Sequence, residues 1–234
     1  MRACARATNA RCASQSPRSA PCVRSAAARA AAAAAGGAAD SVWVYVRAVA
    51  RPSANLRLFV AVYPPADLAR EMLARMRAFD LDAHRATPPE QAHLTLHFIG
   101  DTPVREMERT EESVLRACAG LRAFELTPEA FIALPDASNP RLVALRTDAP
   151  PTLLEIKRRL ALRFAKRSRR NAADRFVPHV TLCRFPTHAS VAPFEDRPAT
   201  GLRPFTVGRV LLMRSTIAAG GATHHLVAAA GLAP

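Results

Sequence analysis

One four-residue pattern occurs twice in this chain, as His93-Leu94-Thr95-Leu96 and as His179-Val180-Thr181-Leu182. Both copies lie in apolar stretches, HLTLHFIG from residue 93 and HVTLCRF from residue 179. In a β-strand, residues i and i+2 share a face. Each copy would bury two aliphatic side chains on one side and present an imidazole and a hydroxyl on the other. A pair of imidazoles facing one cleft suits general acid–base work near neutral pH. One accepts a proton from a nucleophile while the other donates to a leaving group. The hydroxyls of Thr95 and Thr181 can donate to the non-bridging oxygens of a phosphate. Phosphoryl transfer mainly needs in-line positioning and relief of oxyanion charge. Two His and two Thr around one phosphorus supply both without a metal. A lone His-x-Thr in a strand is ordinarily structural; the second copy, 86 residues on, is what gives the pattern weight. A metal site fits less well. His93 and His97 are spaced as helical ligands would be, but in a strand they stand about 13 Å apart at roughly 3.3 Å per residue.

The segments around the motifs read as alternating strands and helices. Leu56–Val62 is an apolar run closed by Pro64-Pro65, hence a buried strand. Leu68, Met72, Met76 and Phe79 recur at helical spacing over Ala66–Phe79. Ala92–Ile99 is the first motif strand, ended by Gly100. Thr102-Pro103 has the form of an N-cap followed by proline at the first helical position, with Met107, Val114 and Cys118 on the inner helix face. Phe124–Leu126, Ala130–Ala133 and Leu142–Arg146 are expected strands. A helix over Thr152–Arg167 turns Leu153, Ile156, Leu160 and Phe164 inward. Phe176–Phe185 is the second motif strand. Phe205–Thr216 and His225–Ala230 are late strands joined by a turn at Gly220-Gly221. The order implies an α+β fold built from two similar halves.

The chain has 234 residues and a formal net charge of +14. That charge fits an anionic partner, or a composition that simply favours Arg and Ala. Up to Ala39 there is no acidic residue and no periodic apolar face, so residues 1–54 are expected to form a disordered Ala/Arg-rich extension. Three origins fit it: an organelle transit peptide, a translation start placed too far upstream, or a basic tail for nucleic acid. That segment carries eight arginines and one aspartate, +7, leaving +7 for residues 55–234, the expected single folded domain. The five cysteines show no CxxC spacing, so neither a disulfide framework nor a zinc site is indicated. No apolar run approaches the roughly 20 residues of a membrane span. A cytoplasmic monomer is expected, with organelle targeting by residues 1–54 left open. The densest basic run comprises Lys157, Arg158, Arg159, Arg163, Lys166, Arg167, Arg169 and Arg170. It reads either as a solvated helix face with its loop or as a rail for RNA backbone.

The paired HLTL and HVTL resemble the 2H phosphoesterase superfamily, named for two H-x-T/S-x motifs. Further stretches are similar to its LigT-like branch, the RNA 2′,3′-cyclic phosphodiesterases of the 2′-5′ RNA ligase family. They are LRLFVAVYPP, PPEQAHLTLHFIGD, NPRLVALR, FVPHVTLCRF and LLMRSTIAAGGATHHL, spread over Asn55 to Leu232. The resemblance implies a two-lobed, pseudo-symmetric fold of antiparallel sheets with outer helices, facing across a central basic cleft. It implies hydrolysis of RNA 2′,3′-cyclic phosphate ends to 2′-phosphate ends, with no metal, ATP or other cofactor, and in some relatives 2′-5′ joining in reverse. His93 would be the proton donor and His179 the proton acceptor, with Thr95 and Thr181 holding phosphate oxygens. His97 stands where the branch commonly has Arg; on a regular strand it shares the face of His93 and Thr95, and it either contacts substrate or is structural. Arg184, after Cys183, either steadies the phosphate or pairs with an acid. Near the C-terminus an expected aromatic is replaced around His224, which touches base stacking rather than the chemistry. Two rival activities remain: another 2H enzyme opening small cyclic nucleotides or cleaving 2′-5′ oligonucleotides, and a non-catalytic RNA-binding protein.

Overall fold

A computed structural model describes residues 55–165, 176–186, 190–218 and 221–234. The extension expected over residues 1–54 lies outside the described residues, as do Lys166, Arg167, Arg169 and Arg170 of the basic run. The elements are β1 (Asn55–Val62), α1 (Ala66–Arg77), β2 (Arg85–Ala86), β3 (Leu94–Pro103), α2 (Met107–Cys118), β4 (Phe124–Leu126), β5 (Pro128–Leu134), β6 (Leu142–Thr147), α3 (Pro151–Arg163), β7 (His179–Arg184), β8 (Arg197–Pro198), β9 (Phe205–Val207), β10 (Arg209–Ala218) and β11 (Gly221–Gly231).

Among the described residues, nine strands form one antiparallel sheet in the order β11-β10-β1-β3-β7-β6-β5-β8, with β2 added on β7. The motif strands β3 and β7 are the central neighbours, and they meet through the pair Leu94↔Val180. To one side lie β1, β10 and β11; to the other lie β6, β5 and β8. The halves correspond in detail. In each, a strand (β1 or β6) runs into a Pro-Pro pair, a helix follows, and the chain returns as a motif strand beside the first. Pro65 precedes α1, and Pro150 precedes α3, whose first residue is Pro151. Proline's fixed φ and missing N–H suit the start of a helix.

One face of the sheet is covered by helices. Leu58, Val60 and Val62 of β1, Leu94 and Leu96 of β3, and Val180 and Leu182 of β7 are buried in the main core with Leu68, Met72 and Met76 of α1 and Leu153, Ile156 and Leu160 of α3. Burying one such side chain is worth roughly 1.5–3 kcal/mol. A one-residue slip of either motif strand would turn its aliphatics out and its imidazole in, so the core fixes which face carries the imidazoles. The helices also cross between halves: α3 lies against β3, and α1 reaches β7.

Three expectations from the sequence are corrected. Thr102-Pro103 starts no helix, because β3 continues through it: Thr102 pairs with Leu56 and Pro103 with Asn55. Gly100, at φ 86, absorbs the irregularity inside the strand, and the helix begins at Met107. The stretch Phe205–Thr216 is two strands parted by Gly208, since β9 pairs with β4 in a separate ribbon while β10 pairs with β1. The second motif strand begins at His179 rather than Phe176.

The basic run also has a definite setting. Arg158 and Arg159 both bind Glu155, Arg159 donates to Ala119 O at 2.9 Å, and Lys157 Nζ stands 4.3 Å from the centroid of Phe176. These groups are occupied on the helical layer, away from the open face of the sheet. Lys157, Arg158 and Arg159 therefore fit the helix-face account rather than the rail.

Candidate active site

The face opposite the helices carries His93, Thr95, His179 and Thr181. Continuing the pair Leu94↔Val180 by one residue each way sets His93 opposite Thr181 and Thr95 opposite His179. Directly opposed Cβ atoms lie about 4.5–5.5 Å apart, and the diagonal neighbours His93 and His179 about 7–8 Å. One tetrahedral phosphate fits between groups so spaced. Beside each threonine stands a small, fully buried alanine: Ala61 pairs with Thr95, and Ala144 pairs with Thr181. Larger residues there would crowd the hydroxyls.

Each imidazole is fixed by its own backbone. His93 Nδ1–H donates to Gln91 O at 2.6 Å, and His179 Nδ1–H donates to Val177 O at 2.8 Å. A carbonyl only accepts, so the proton sits on Nδ1 and Nε2 is left for chemistry in both rings. Burial pulls the His93 pKa down to about 4, with the positive neighbours His224, Arg184 and His179 adding to it and the Gln91 carbonyl opposing. His179 is lowered too, chiefly by burial and secondarily by Arg184. Both rings are thus neutral at pH 7 in the free protein, and each gains a proton more readily once an anion lies beside it.

A β-bulge in each motif strand sets the facing of the residues beyond the threonine. The register of β3 on β1 shifts between Val60 and Ala61, so Leu96 is extra and His97 pairs with Val60. His97 therefore turns to the helical face, where it stacks on Phe164 at 5.6 Å. It does not share the face of His93 and Thr95, which corrects the expectation from simple alternation. Phe98 takes the open face instead, pairs with Phe59 and is 71% exposed. The same device recurs in β7. Its register on β6 shifts between Val143 and Ala144, so Leu182 is extra, Cys183 pairs with buried Val143 and Arg184 turns to the open face. On a regular strand Arg184 would have pointed into the core. Phe98 and Arg184 are equivalent positions of the two halves.

Two neighbours lie beyond the reach of the sequence motifs. Arg85 of β2 is the direct cross-strand partner of Arg184. The Arg85 guanidinium lies over Gly221, occupying the space a side chain there would need; Gly221 has φ 113. The second neighbour is His224, whose ring centroid is 4.9 Å from that of His93. Arg85 sits in a two-residue strand and His224 ten residues from the C-terminus, so neither follows from a local motif. Among the described residues, no group of three or more His, Cys, Asp or Glu stands where it could hold a metal ion. No described helix is long and apolar enough to cross a membrane.

Comparison with known proteins accords with this geometry. The family model of the 2′-5′ RNA ligase superfamily matches residues 64–216, more than half of the chain. An RNA 2′,3′-cyclic phosphodiesterase of Methanothermobacter thermautotrophicus is 32% identical over 96 residues, which is 41% of this chain and 52% of that protein. The chain thus matches about half the length of that relative. Among solved structures, TT0787 of Thermus thermophilus aligns with a TM-score of 0.63 at 24% identity, over 76% of this chain and 98% of that one. LigT of E. coli, in a crystal structure with 3′-AMP, aligns with a TM-score of 0.62 at 23% identity, over 79% of this chain and all of that one. Those likenesses bear on the fold, and the α+β architecture of antiparallel sheet and outer helices is theirs as well. The two motif strands, their position at the centre of the sheet and the family match lead to one assignment: the chain belongs to the 2′-5′ RNA ligase superfamily of 2H phosphoesterases.

Proposed function

We propose that the protein is a phosphodiesterase that opens the 2′,3′-cyclic phosphate at an RNA end and leaves a 2′-phosphate. The observation that carries this reading is the adjacency of β3 and β7, with both imidazoles and both threonine hydroxyls on one open face. The name of the Methanothermobacter relative supports the same substrate class. In the reaction, Nε2 of His179 takes a proton from water as the oxygen attacks phosphorus. The bond from phosphorus to O3′ breaks in line, and protonated His93 delivers its Nε2 proton to that oxygen. Thr95 and Thr181 donate to the two non-bridging oxygens, and the Arg184 guanidinium balances the charge that gathers there. Phe98, exposed on the same face, offers a stacking surface to the terminal base, a contact that tolerates any base. A 5′-hydroxyl in the place of water would give a 2′-5′ linkage by the same proton transfers.

The deciding experiment incubates purified protein with an RNA oligonucleotide ending in a 2′,3′-cyclic phosphate and identifies the product isomer. A 2′-phosphate is expected, in the presence of EDTA as in its absence. A 3′-phosphate would reverse which ring oxygen leaves, and strong inhibition by EDTA would replace the mechanism with a metal-assisted one. Preference for a cyclic mononucleotide over the oligomer would move the substrate to small cyclic nucleotides. RNA bound tightly without turnover would make the protein a binding module.

A further inference from the structure

The two half-sites are nearly equivalent, and one ring breaks the equivalence. Each motif histidine has an Nδ1–H bound to the carbonyl two residues before it, a threonine two residues after it and a bulge beyond. Their surroundings then diverge. His179 pairs across the strands with Arg146, which is engaged by Glu129 at 3.1 Å and Asp196 at 3.9 Å. His93 sits among three aromatic rings: Phe59 at 5.0 Å, Tyr63 at 5.2 Å in a stacked arrangement, and His224 at 4.9 Å edge to face. Among the described residues His179 makes no ring contact of this kind.

His224 comes from β11, at the far edge of the sheet, and reaches His93 over β10 and β1. Its strand partner is Ser215, itself opposite Arg57, so it lies on the open face. The ring leans over Phe59 at 4.8 Å. Tyr63 Oη–H donates to His224 Nδ1 at 3.4 Å. Burial pushes the Tyr63 hydroxyl up to about 12, so Tyr63 keeps its proton and Nδ1 of His224 is the acceptor. The His224 side chain is thereby oriented by the same tyrosine that stacks on His93.

We propose that His224 is a positioning residue that makes the two motif histidines unequal: it locks the His93 ring through Tyr63 and direct contact, and couples the proton on His93 to its own charge state. This rests on the phosphodiesterase reading, and it states how that site tells its acid from its base. The ionisable groups facing His224 are Tyr63 from β1 and His93 from β3, with Arg57 farther along the same face and His225 next to it on β11; His179 and Arg184 of β7 act on His93 from the other side. Two imidazolium rings in contact repel, so a proton on either weakens the hold of the other. A donor so placed surrenders its proton more easily in the transition state.

The test compares His224→Phe, which keeps a ring and removes the charge, with His224→Ala, which removes both. In the free protein, an NMR titration of the His93 imidazole should move to higher pH in both variants, by about half a unit or more. The optimum of kcat/KM for a cyclic-phosphate oligonucleotide should move the same way. His224→Ala should also lower kcat several-fold with KM little changed, because the ring is no longer held. An unchanged His93 titration in both variants, or activity reduced equally at every pH, overturns the proposal. If the titration moves but the wild-type protein opens no cyclic phosphate, the coupling of the rings stands and the phosphodiesterase reading falls.

Discussion

At the scale of single residues, the proposed reaction depends on a proton given up at Nε2 of His93 and one taken up at Nε2 of His179. Replacing either with alanine should cut kcat by about 10²–10⁴, the usual worth of a positioned acid or base. The double variant should lose little more than either single one, because groups acting as a unit are not additive. Circular dichroism of each variant should match the parent, since neither ring belongs to the main core. The pH dependence has a definite sign. The proposed reaction needs His93 protonated and His179 neutral. Both pKa values lie below 6.5, that of His93 near 4. The product of the two required fractions peaks between the two values, so kcat/KM of the free enzyme should be bell-shaped with its maximum below pH 6.5. Steady-state assays from about pH 4 to 8 would check this; a maximum well above 7 would mean that the burial of His93 does not govern its titration.

At the scale of elements, the two bulges matter as much as the motifs. If Leu182 were paired in a regular ladder instead of forming a bulge, strict alternation would return Cys183 to the open face and drive Arg184 among Val143, Leu145 and the helices. Deleting Leu182 removes the bulge but leaves Cys183 opposite Val143 and Arg184 on the open face. Activity should therefore survive better than in Arg184→Ala, while the loss of a buried leucine should destabilise the fold by about 2–5 kcal/mol. Arg184→Ala alone should retain the parent's melting temperature while raising KM for the cyclic phosphate. The comparison separates loss of the guanidinium from loss of the bulge. It also marks what is legible in the sequence. The motif histidines and threonines are legible because their alternation over Leu94, Leu96, Val180 and Leu182 is regular up to the threonine. A bulge leaves no mark in composition, so alternation puts His97 on the wrong face and gives no hint of its successor, Phe98. The Arg184 position comes from resemblance, yet only the bulge explains how it reaches the site. Likewise β2 is too short for any periodicity, and β11 reaches His93 only through the order of strands in the sheet. The sequence does hold a second signal for the duplication: LFVAVYPP and LVALRTDAPP are both strands that end in a proline pair before a helix.

At the scale of the whole molecule, catalytic placement and stability draw on the same burial. His93 must be neutral to fit its slot of rings, whereas in the unfolded chain it titrates near 6.5. Below that value the unfolded state binds a proton that the folded state resists, so stability rises with pH across the interval. The contribution is fully present above pH 6.5 and is lost as the pH falls towards about 4. With about 1.4 kcal/mol for each unit of difference, the loss from this one group is on the order of 3 kcal/mol. That is a large part of the margin of an ordinary domain. Removing the titrating ring while keeping a neutral polar group, as in His93→Gln, should flatten this part of the curve. Urea unfolding at a series of pH values from about 7.5 to 4 would measure it through the midpoint at constant slope. The wild-type midpoint should fall more steeply with acid than that of the variant, and the two curves should converge or cross at the acid end. Parallel curves would mean that His93 takes up its proton in the folded protein as easily as in water. In that case the ring slot formed by Phe59, Tyr63 and His224 would be open to solvent, and the acidic optimum expected for catalysis would fail for the same reason.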